Sequence, residues 1–208
     1  GALLEPFADF FRRYRWQAVL ILALIGVGMA TGIDLATVIR GIQAVTGVPG
    51  RFQLVPGSRE FGVIIDYAHT PDGLENVLKA AKALHPKRLG VVFGCGGDRD
   101  RTKRPIMGRI AEEYADFIWL TSDNPRSEPP EAILDEIEAG LSSGAPFVRI
   151  SDRREAIRQA VAWAQSGDLL VIAGKGHENY QILADRTIPF DDMKVAAEAL
   201  EDRRHGRL

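Results

Sequence analysis

Short apolar runs alternate with amphipathic stretches along most of this chain. Five runs have the length and composition of buried strands: 63–65, 89–93, 117–120, 147–150 and 169–173. The stretches between them carry apolar residues at helical spacing, as Leu74, Val77, Leu78 and Ala81 do. Strands separated by helices need crossover connections, which produce parallel pairing. The pattern therefore predicts an α/β fold built on a mostly parallel sheet.

Turn and capping residues mark the boundaries of these elements. Thr70-Pro71 has the form of a helix N-cap followed by proline in the first turn, and Asp152 precedes another helical pattern. Residues 182–183 and 187–188 predict a small hairpin. Asp191-Asp192 predicts capping and first-turn charge for a last helix over 192–203.

The N-terminal region allows two interpretations. Residues 16–33 are 18 consecutive uncharged residues that follow Arg12, Arg13 and Arg15, as in a signal anchor. Three glycines and a glutamine make the segment marginal for spanning a membrane, which needs about 20 apolar residues. The next segment has one apolar helix face, formed by Leu35, Val38, Ile39 and Ile42. We therefore expect two helices packed in a soluble core and no membrane contact, with a boundary at Val48-Pro49-Gly50.

Composition narrows the function classes. The chain has 208 residues, a formal net charge of −2 and one cysteine. This charge balance argues against a general nucleic-acid-binding surface. A single cysteine forms neither an internal disulfide nor a zinc cluster, so we expect a cytoplasmic protein with no metal site of its own. The length fits one domain plus a piece of another.

Candidate chemistry is concentrated in the loops that follow the predicted strands. Ligands of open α/β sheets bind beyond the carboxyl ends of the strands. Four such loops are rich in glycine and charge: 66–69, 94–100, 122–126 and 174–178. The glycines of residues 94–97 permit close approach of a ligand, or they simply close a tight turn. Their spacing does not match G-x-G-x-x-G, which disfavours a dinucleotide site.

Charged side chains in these loops suit a zwitterionic ligand. Arg99 and Arg126 can each clamp a carboxylate, and Glu178 or Asp123 can receive an ammonium group. Pro125 stiffens its loop. The alternative is that these charges pair with one another and only stabilise the loops.

Four further residues stay open to more than one interpretation. Lys175 lies in Gly-Lys-Gly, but the chain contains no G-x-x-x-x-G-K-[ST] motif, so a structural or interdomain charge is an equal alternative to phosphate binding. His69 and His177 have no nucleophile or acid at telling spacing, which favours binding or structural roles. Cys95 is interpreted as a small loop residue rather than a reactive thiol.

Five motifs in order give the chain a resemblance to a known family. They are 47–52 (GVPGRF), 66–72 (DYAHTPD), 94–100 (GCGGDRD), 123–126 (DNPR) and 174–178 (GKGHE). With these motifs, residues from about 47 to 200 resemble the C-terminal part of the Mur ligases. The DNPR loop resembles the branch of that family that adds meso-diaminopimelate rather than lysine.

The resemblance implies a reaction and a domain organisation. The family uses ATP and Mg²⁺ to activate the D-glutamate carboxylate of UDP-MurNAc-L-Ala-D-Glu as an acyl phosphate, which the amine of meso-diaminopimelate then attacks. Residues 47–208 would form the Rossmann-like C-terminal domain, with helices on both faces of its sheet. Residues 1–46 would be the helical tail of the central ATPase domain.

The resemblance also implies roles for individual residues. The residues that would hold the far, zwitterionic end of meso-diaminopimelate are Arg99, Asp123, Asn124, Pro125, Arg126, Gly174 and Glu178. Arg51 would reach the nucleotide phosphates. Asp66 would accept hydrogen bonds from the ribose, with His69 near the base or ribose. No catalytic residue is assigned.

Departures from the family pattern leave alternatives open. The sequence contains no P-loop, no lysine of the kind that becomes carbamylated and no UDP-binding domain, and residues 11–15 read FRRYR where the family has asparagines. We therefore expect that the chain alone does not catalyse ligation and needs the other ligase domains. The alternatives are a stand-alone diamino-acid-binding module and a nonfunctional, truncated or membrane-anchored remnant.

Overall fold

The structure, a computed structural model, describes residues 15–44, 47–57 and 60–208. Residues 11–14, where the sequence departs from the family pattern, lie outside the described residues. The chain divides into two compact units, and the division falls between Gly47 and Val48. The assignment of the first unit to a central ATPase domain stays a prediction.

The first unit contains two helices, α1 (Arg15–Ala30) and α2 (Leu35–Ala44). The carboxylate of Asp34 accepts a hydrogen bond from the Thr37 amide at 3.0 Å, which caps the start of α2. Gly28 faces Val38, and a Cβ at Gly28 would lie 2.6 Å from a Val38 methyl carbon. Glycine therefore lets the two helices approach closely.

Burial in this unit differs from the sequence prediction. Four apolar side chains of α1 are each more than half exposed: Leu22, Leu24, Val27 and Met29. The prediction that the segment is buried in a core is wrong for these residues. The physical reason is that a helix with apolar residues all around buries only the side that faces a partner, and among the described residues α2 is the helix that packs against it. None of the described helices combines the length and the apolar character needed to span a bilayer.

The second unit is built on a six-stranded sheet with strand order β1-β2-β6-β3-β4-β5. The strands are β1 (Gln53–Leu54), β2 (Gly62–Asp66), β3 (Leu89–Phe93), β4 (Phe117–Leu120), β5 (Phe147–Arg149) and β6 (Leu169–Ala173). All neighbours pair in parallel except β1, which runs antiparallel to β2. The five predicted strands are confirmed. Strand β1 was not predicted, because two residues are too few to show a hydrophobic period.

Helices cover both faces of the sheet, as the fold prediction required. They are α3 (Pro71–Lys82), α4 (Lys103–Tyr114), α5 (Pro130–Glu138), α6 (Arg153–Trp163) and α7 (Asp192–Arg204). Helices α3, α4 and α5 bury Leu74, Met107 and Leu134 in one apolar cluster. Helices α6 and α7 bury Ile157 and Val195 in a second cluster. A central strand alternates between the two, since Val91 belongs to the first and Val92 to the second.

Local signals in the sequence fix the helix starts as predicted. Thr70 accepts from the Gly73 amide at 3.2 Å, with Pro71 in the first turn. Asp152 caps α6 by accepting from the Glu155 amide at 3.1 Å. Asp191 caps α7, and the predicted hairpin is present as β7 (Tyr180–Ile182) and β8 (Thr187–Pro189).

The topology places the polar loops together. Strand β6 lies between β2 and β3, and β4 follows β3. Because these strands are parallel, the loops after β2, β3, β4 and β6 all leave the same edge of the sheet.

Candidate functional site

A cleft of about 680 Å³ lies at this carboxyl edge. Seven of the ten residues predicted from the sequence line it: His69, Arg99, Asp123, Asn124, Arg126, Gly174 and Glu178. Arg51, Asp66 and Pro125 are absent from its lining. The fold therefore brings residues that are up to 109 positions apart, such as His69 and Glu178, to one cleft.

Asp123 and Glu178 contribute carboxyl groups to the lining of the cleft. The Glu178 carboxylate accepts a hydrogen bond from Asn124 Nδ2 at 3.0 Å. Lys175 Nζ lies 3.8 Å from an Asp123 carboxylate oxygen and is fully buried. Burial raises the pKa of Asp123 above its ordinary value. Gly174, with a φ of +117°, allows this packing because a Cβ there would lie 2.5 Å from Asp123 Oδ2.

Arg99 and Arg126 also line the cleft, and their guanidinium groups bond to backbone carbonyls. Arg126 Nη1 donates to the Gly97 carbonyl at 2.9 Å, and Arg99 Nη1 donates to the Asp98 carbonyl at 3.3 Å. Among the described residues, neither arginine forms an ion pair with a carboxylate. Asp98 instead accepts from the Ser127 hydroxyl at 2.6 Å. Both arginines therefore hold backbone carbonyls of their loops, and among the described residues neither guanidinium group pairs directly with a neighbouring carboxylate.

Backbone geometry fixes the direction of Arg126. Its φ of +52° lies in the left-handed region that non-glycine residues rarely adopt. Its amide donates to the Ile182 carbonyl in the β7–β8 hairpin at 3.1 Å. The loop after β4 is therefore tied to the β7–β8 hairpin.

The glycine loop after β3 packs directly against the loop after β4. A Cβ at Gly94 would lie 1.9 Å from the Thr121 carbonyl oxygen, and one at Gly97 would lie 1.9 Å from the Pro125 carbonyl oxygen. The Gly97 amide donates to the Asn124 carbonyl at 2.9 Å. Pro125 is buried and absent from the cleft lining, and its carbonyl oxygen packs against Gly97.

A buried arginine that the sequence analysis did not find supports both loops. Arg104 on α4 makes paired hydrogen bonds to Glu128, at 2.8 and 2.9 Å, and donates to the Gly96 carbonyl at 3.2 Å. Glu128 in turn accepts from the Asp98 amide at 2.6 Å. The hydrogen bonds from Arg104, followed by the Asp98 amide, lower the pKa of Glu128 to about 2. No sequence signal separates Arg104 from an ordinary surface cation of a helix.

The residues predicted to face the nucleotide surround Tyr67. The Arg51 guanidinium lies 4.8 Å from the Tyr67 ring centroid, and the rings of His69 and His177 lie 4.7 and 5.4 Å from it. His69 Nδ1 donates to the Tyr67 carbonyl at 2.9 Å. The sequence analysis did not single out Tyr67, since one aromatic residue after a strand is no signal by itself.

Asp66 and Cys95 are held in place by local contacts. Asp66 accepts hydrogen bonds from the Phe52 amide at 2.7 Å and from the Ala68 amide at 2.9 Å. The ribose-binding role of Asp66 stays a prediction. Burial raises the pKa of the Cys95 thiol to about 12, so this side chain is a protonated thiol at neutral pH.

Comparison with known proteins identifies the family. The family model described as "Mur ligase, glutamate ligase domain" matches residues 50–176, which include three of the five motifs in full and the other two in part. The chain belongs to the Mur ligase family. The predicted Rossmann-like fold agrees with this membership.

Similar proteins are much longer than this Mur ligase chain. The UDP-N-acetylmuramoyl-L-alanyl-D-glutamate–2,6-diaminopimelate ligase of Syntrophomonas wolfei is 55% identical over 184 residues, which cover 88% of this chain and 38% of that protein. The ligase of the same name from Gloeobacter violaceus is 56% identical over 186 residues. A solved structure of a ligase with this name is 44% identical, with a TM-score of 0.72, and is covered to 38% of its length.

Proposed function

We propose that this chain is the C-terminal, amino-acid-recognising portion of an ATP-dependent ligase that adds meso-diaminopimelate to UDP-MurNAc-L-Ala-D-Glu in peptidoglycan synthesis. The names of the similar ligases support the reaction. The proposed enzyme acts in the cytoplasm on small molecules and requires the remaining ligase domains. It is not proposed to bind nucleic acid or a membrane.

One observation carries the proposal: charged groups of both signs line the same cleft. Glu178 and Asp123 contribute carboxyl groups to its lining, and Arg99 and Arg126 contribute guanidinium groups. A carbon that bears both an ammonium and a carboxylate group fits between them. The ammonium group would bind Glu178, and the carboxylate would bind the guanidinium of Arg126.

The side-chain amide of Asn124 adds a hydrogen-bond donor to the lining of the cleft. One of the two Nδ2 hydrogen atoms bonds to Glu178, and the other is available to the ligand carboxylate. Lysine has an ammonium group but no carboxylate at the corresponding end. The arginines would then be left without a partner, which is the physical basis for a preference for meso-diaminopimelate.

The nucleotide would be bound largely outside these residues. We propose that Arg51, Asp66 and His69 contact it, since Arg51 and His69 flank the half-buried ring of Tyr67 and Asp66 precedes Tyr67 in the loop after β2. ATP and Mg²⁺ supply the activating phosphoryl group in this proposal. The sequence has no P-loop to hold them, so no step of phosphoryl transfer is assigned to this chain.

Calorimetry tests the amino-acid site. We expect the chain to bind meso-diaminopimelate more tightly than L-lysine. Replacement Arg126→Met should weaken binding of meso-diaminopimelate by at least about tenfold while leaving lysine binding nearly unchanged, because it removes a charge-assisted hydrogen bond. Arg109→Met, on the exposed surface of α4, is the matched control. Equal affinity of the folded wild-type chain for both amino acids would contradict the proposal.

A further inference from the structure

Lys175 lies directly behind two residues of the cleft lining, Asn124 and Glu178. It follows Gly174 at the end of β6, and its side chain has 0% exposure. Its ammonium nitrogen lies 3.1 Å from Asn124 Oδ1 and 3.4 Å from Glu178 Oε2. A lysine buried this completely does not reach a ligand in the cleft. Its position also rules against the phosphate-binding interpretation of Gly-Lys-Gly.

The ammonium group determines which way the Asn124 amide points. Asn124 Oδ1 accepts from Lys175 Nζ and also from the Ile182 amide at 2.9 Å. Both neighbours are donors, so the amide oxygen must face them and Nδ2 must face Glu178. A rotation of the amide by 180° would place its NH₂ group against two other donors.

The same ammonium group also selects one oxygen of Glu178. Oε2 accepts from both Asn124 and Lys175. Oε1 has no hydrogen-bond partner within the described part of the chain, and Glu178 lines the cleft. The arrangement turns Oε2 inward and leaves Oε1 for a ligand cation.

Burying a charge of this kind is costly unless it is compensated. Burial lowers the pKa of Lys175, whereas the nearby carboxylates of Asp123 and Glu178 act in the opposite direction. A buried methionine would fill a similar volume without that cost. The retained ammonium therefore needs an explanation beyond packing.

We propose that Lys175 is a positioning residue for ligand selection, whose ammonium group orients the Asn124 amide and the Glu178 carboxylate. Asn124 then presents only a donor to the cleft, and Glu178 presents only an acceptor. The ligand part of this inference rests on the proposed function, whereas the orientation of the two side chains does not.

Nuclear magnetic resonance of the free chain tests the orientation without a ligand. The variant Lys175→Met removes the charge at similar length, and Lys175→Arg keeps a cation. We expect Lys175→Met to accelerate hydrogen exchange of the Asn124 side-chain amide by at least about tenfold, since Oδ1 loses its charged donor and the amide is then less firmly held in the orientation that bonds Nδ2 to Glu178. Lys175→Arg should restore part of the protection. Lys79→Met, at a half-exposed position on α3, is the control.

Calorimetry with meso-diaminopimelate tests the consequence. We expect Lys175→Met to weaken binding by at least about tenfold, again from the loss of a charged partner. A folded Lys175→Met variant with unchanged Asn124 exchange and unchanged affinity would overturn the inference. Altered Asn124 exchange in a chain whose wild type does not bind meso-diaminopimelate would support the positioning role and refute the proposed function instead.

A measurement on the wild type covers the case in which Lys175→Met does not fold. Nuclear Overhauser contacts from the Lys175 ammonium protons to the Asn124 side chain and the Ile182 amide are expected at low temperature. Their presence supports the orientation described above. A wild-type spectrum that shows the ammonium protons without either contact overturns it.

Discussion

Arg153 and Asp192 form a fully buried ion pair beneath the cleft. Arg153 Nε donates to Asp192 Oδ1 at 2.8 Å, and Nη2 donates to Oδ2 at 2.7 Å, with both side chains at 0% exposure. Nη2 also donates to the Ala173 carbonyl at 3.0 Å, and Nη1 lies 3.5 Å from the Ser122 carbonyl. Strand β3 separates β6 from β4 in the sheet. This one guanidinium therefore joins the ends of two strands that are not neighbours.

Asp192 should accordingly be far more important for stability than its neighbour Asp191. We expect Asp192→Ala to lower the free energy of unfolding by about 3–5 kcal/mol, because it leaves a buried guanidinium without its counter-ion. Asp191→Ala removes only the helix cap and should cost about 1 kcal/mol. Urea denaturation at neutral pH measures both values. Similar losses for the two variants would show that the buried pair has no special role.

The close contact between the loops after β3 and β4 leads to a second prediction, which concerns stability and binding. Gly97→Ala would place a Cβ 1.9 Å from the Pro125 carbonyl oxygen, so one loop must move. We expect a loss of about 1–3 kcal/mol in the free energy of unfolding and weaker binding of meso-diaminopimelate. Gly144→Ala is the control, since a Cβ there would meet no atom within 4 Å. Thermal denaturation and calorimetry follow the two properties, and equal behaviour of both alanine variants would contradict the prediction.

Acid should weaken the pairing of Glu128 with Arg104. The pKa of Glu128 is lowered from 4.5 to about 2 in the folded chain. The stabilisation from this group is therefore complete above the pKa of the unfolded chain and is lost as the pH falls from about 5 towards 2. Urea denaturation of wild type and Glu128→Gln should show a large difference in stability at pH 6 that shrinks as the pH approaches 2. A difference that does not depend on pH would count against the ion pair as its source.

The absence of a P-loop motif from this sequence leads to a prediction about catalysis. The purified 208-residue chain, given ATP, Mg²⁺, meso-diaminopimelate and UDP-MurNAc-L-Ala-D-Glu, should form no tripeptide, because no P-loop is present in its sequence. Phosphate release and chromatography of the nucleotide-linked products measure the outcome. Formation of tripeptide by this chain alone would show that the prediction is wrong.

The sequence by itself determined the fold class and the position of the candidate site. Short apolar runs predicted the five strands that pair in parallel. Capping residues such as Thr70 and Asp152 act within one helical turn, so local sequence is sufficient to predict them. The motifs 94–100, 123–126 and 174–178 indicated both the loops and the family.

Only the tertiary structure decided which charges are buried and which face the cleft. Arg104 and Arg153 each lie in the first turn of a helix, where a charged residue is usually exposed to solvent. Both side chains are nevertheless fully buried. Lys175 looked equally suited to phosphate binding, but it lies behind Asn124 and Glu178. Their partners are up to 52 positions away in the chain. Pairing over such distances depends on strand order and helix placement, which hydrophobic periodicity does not encode.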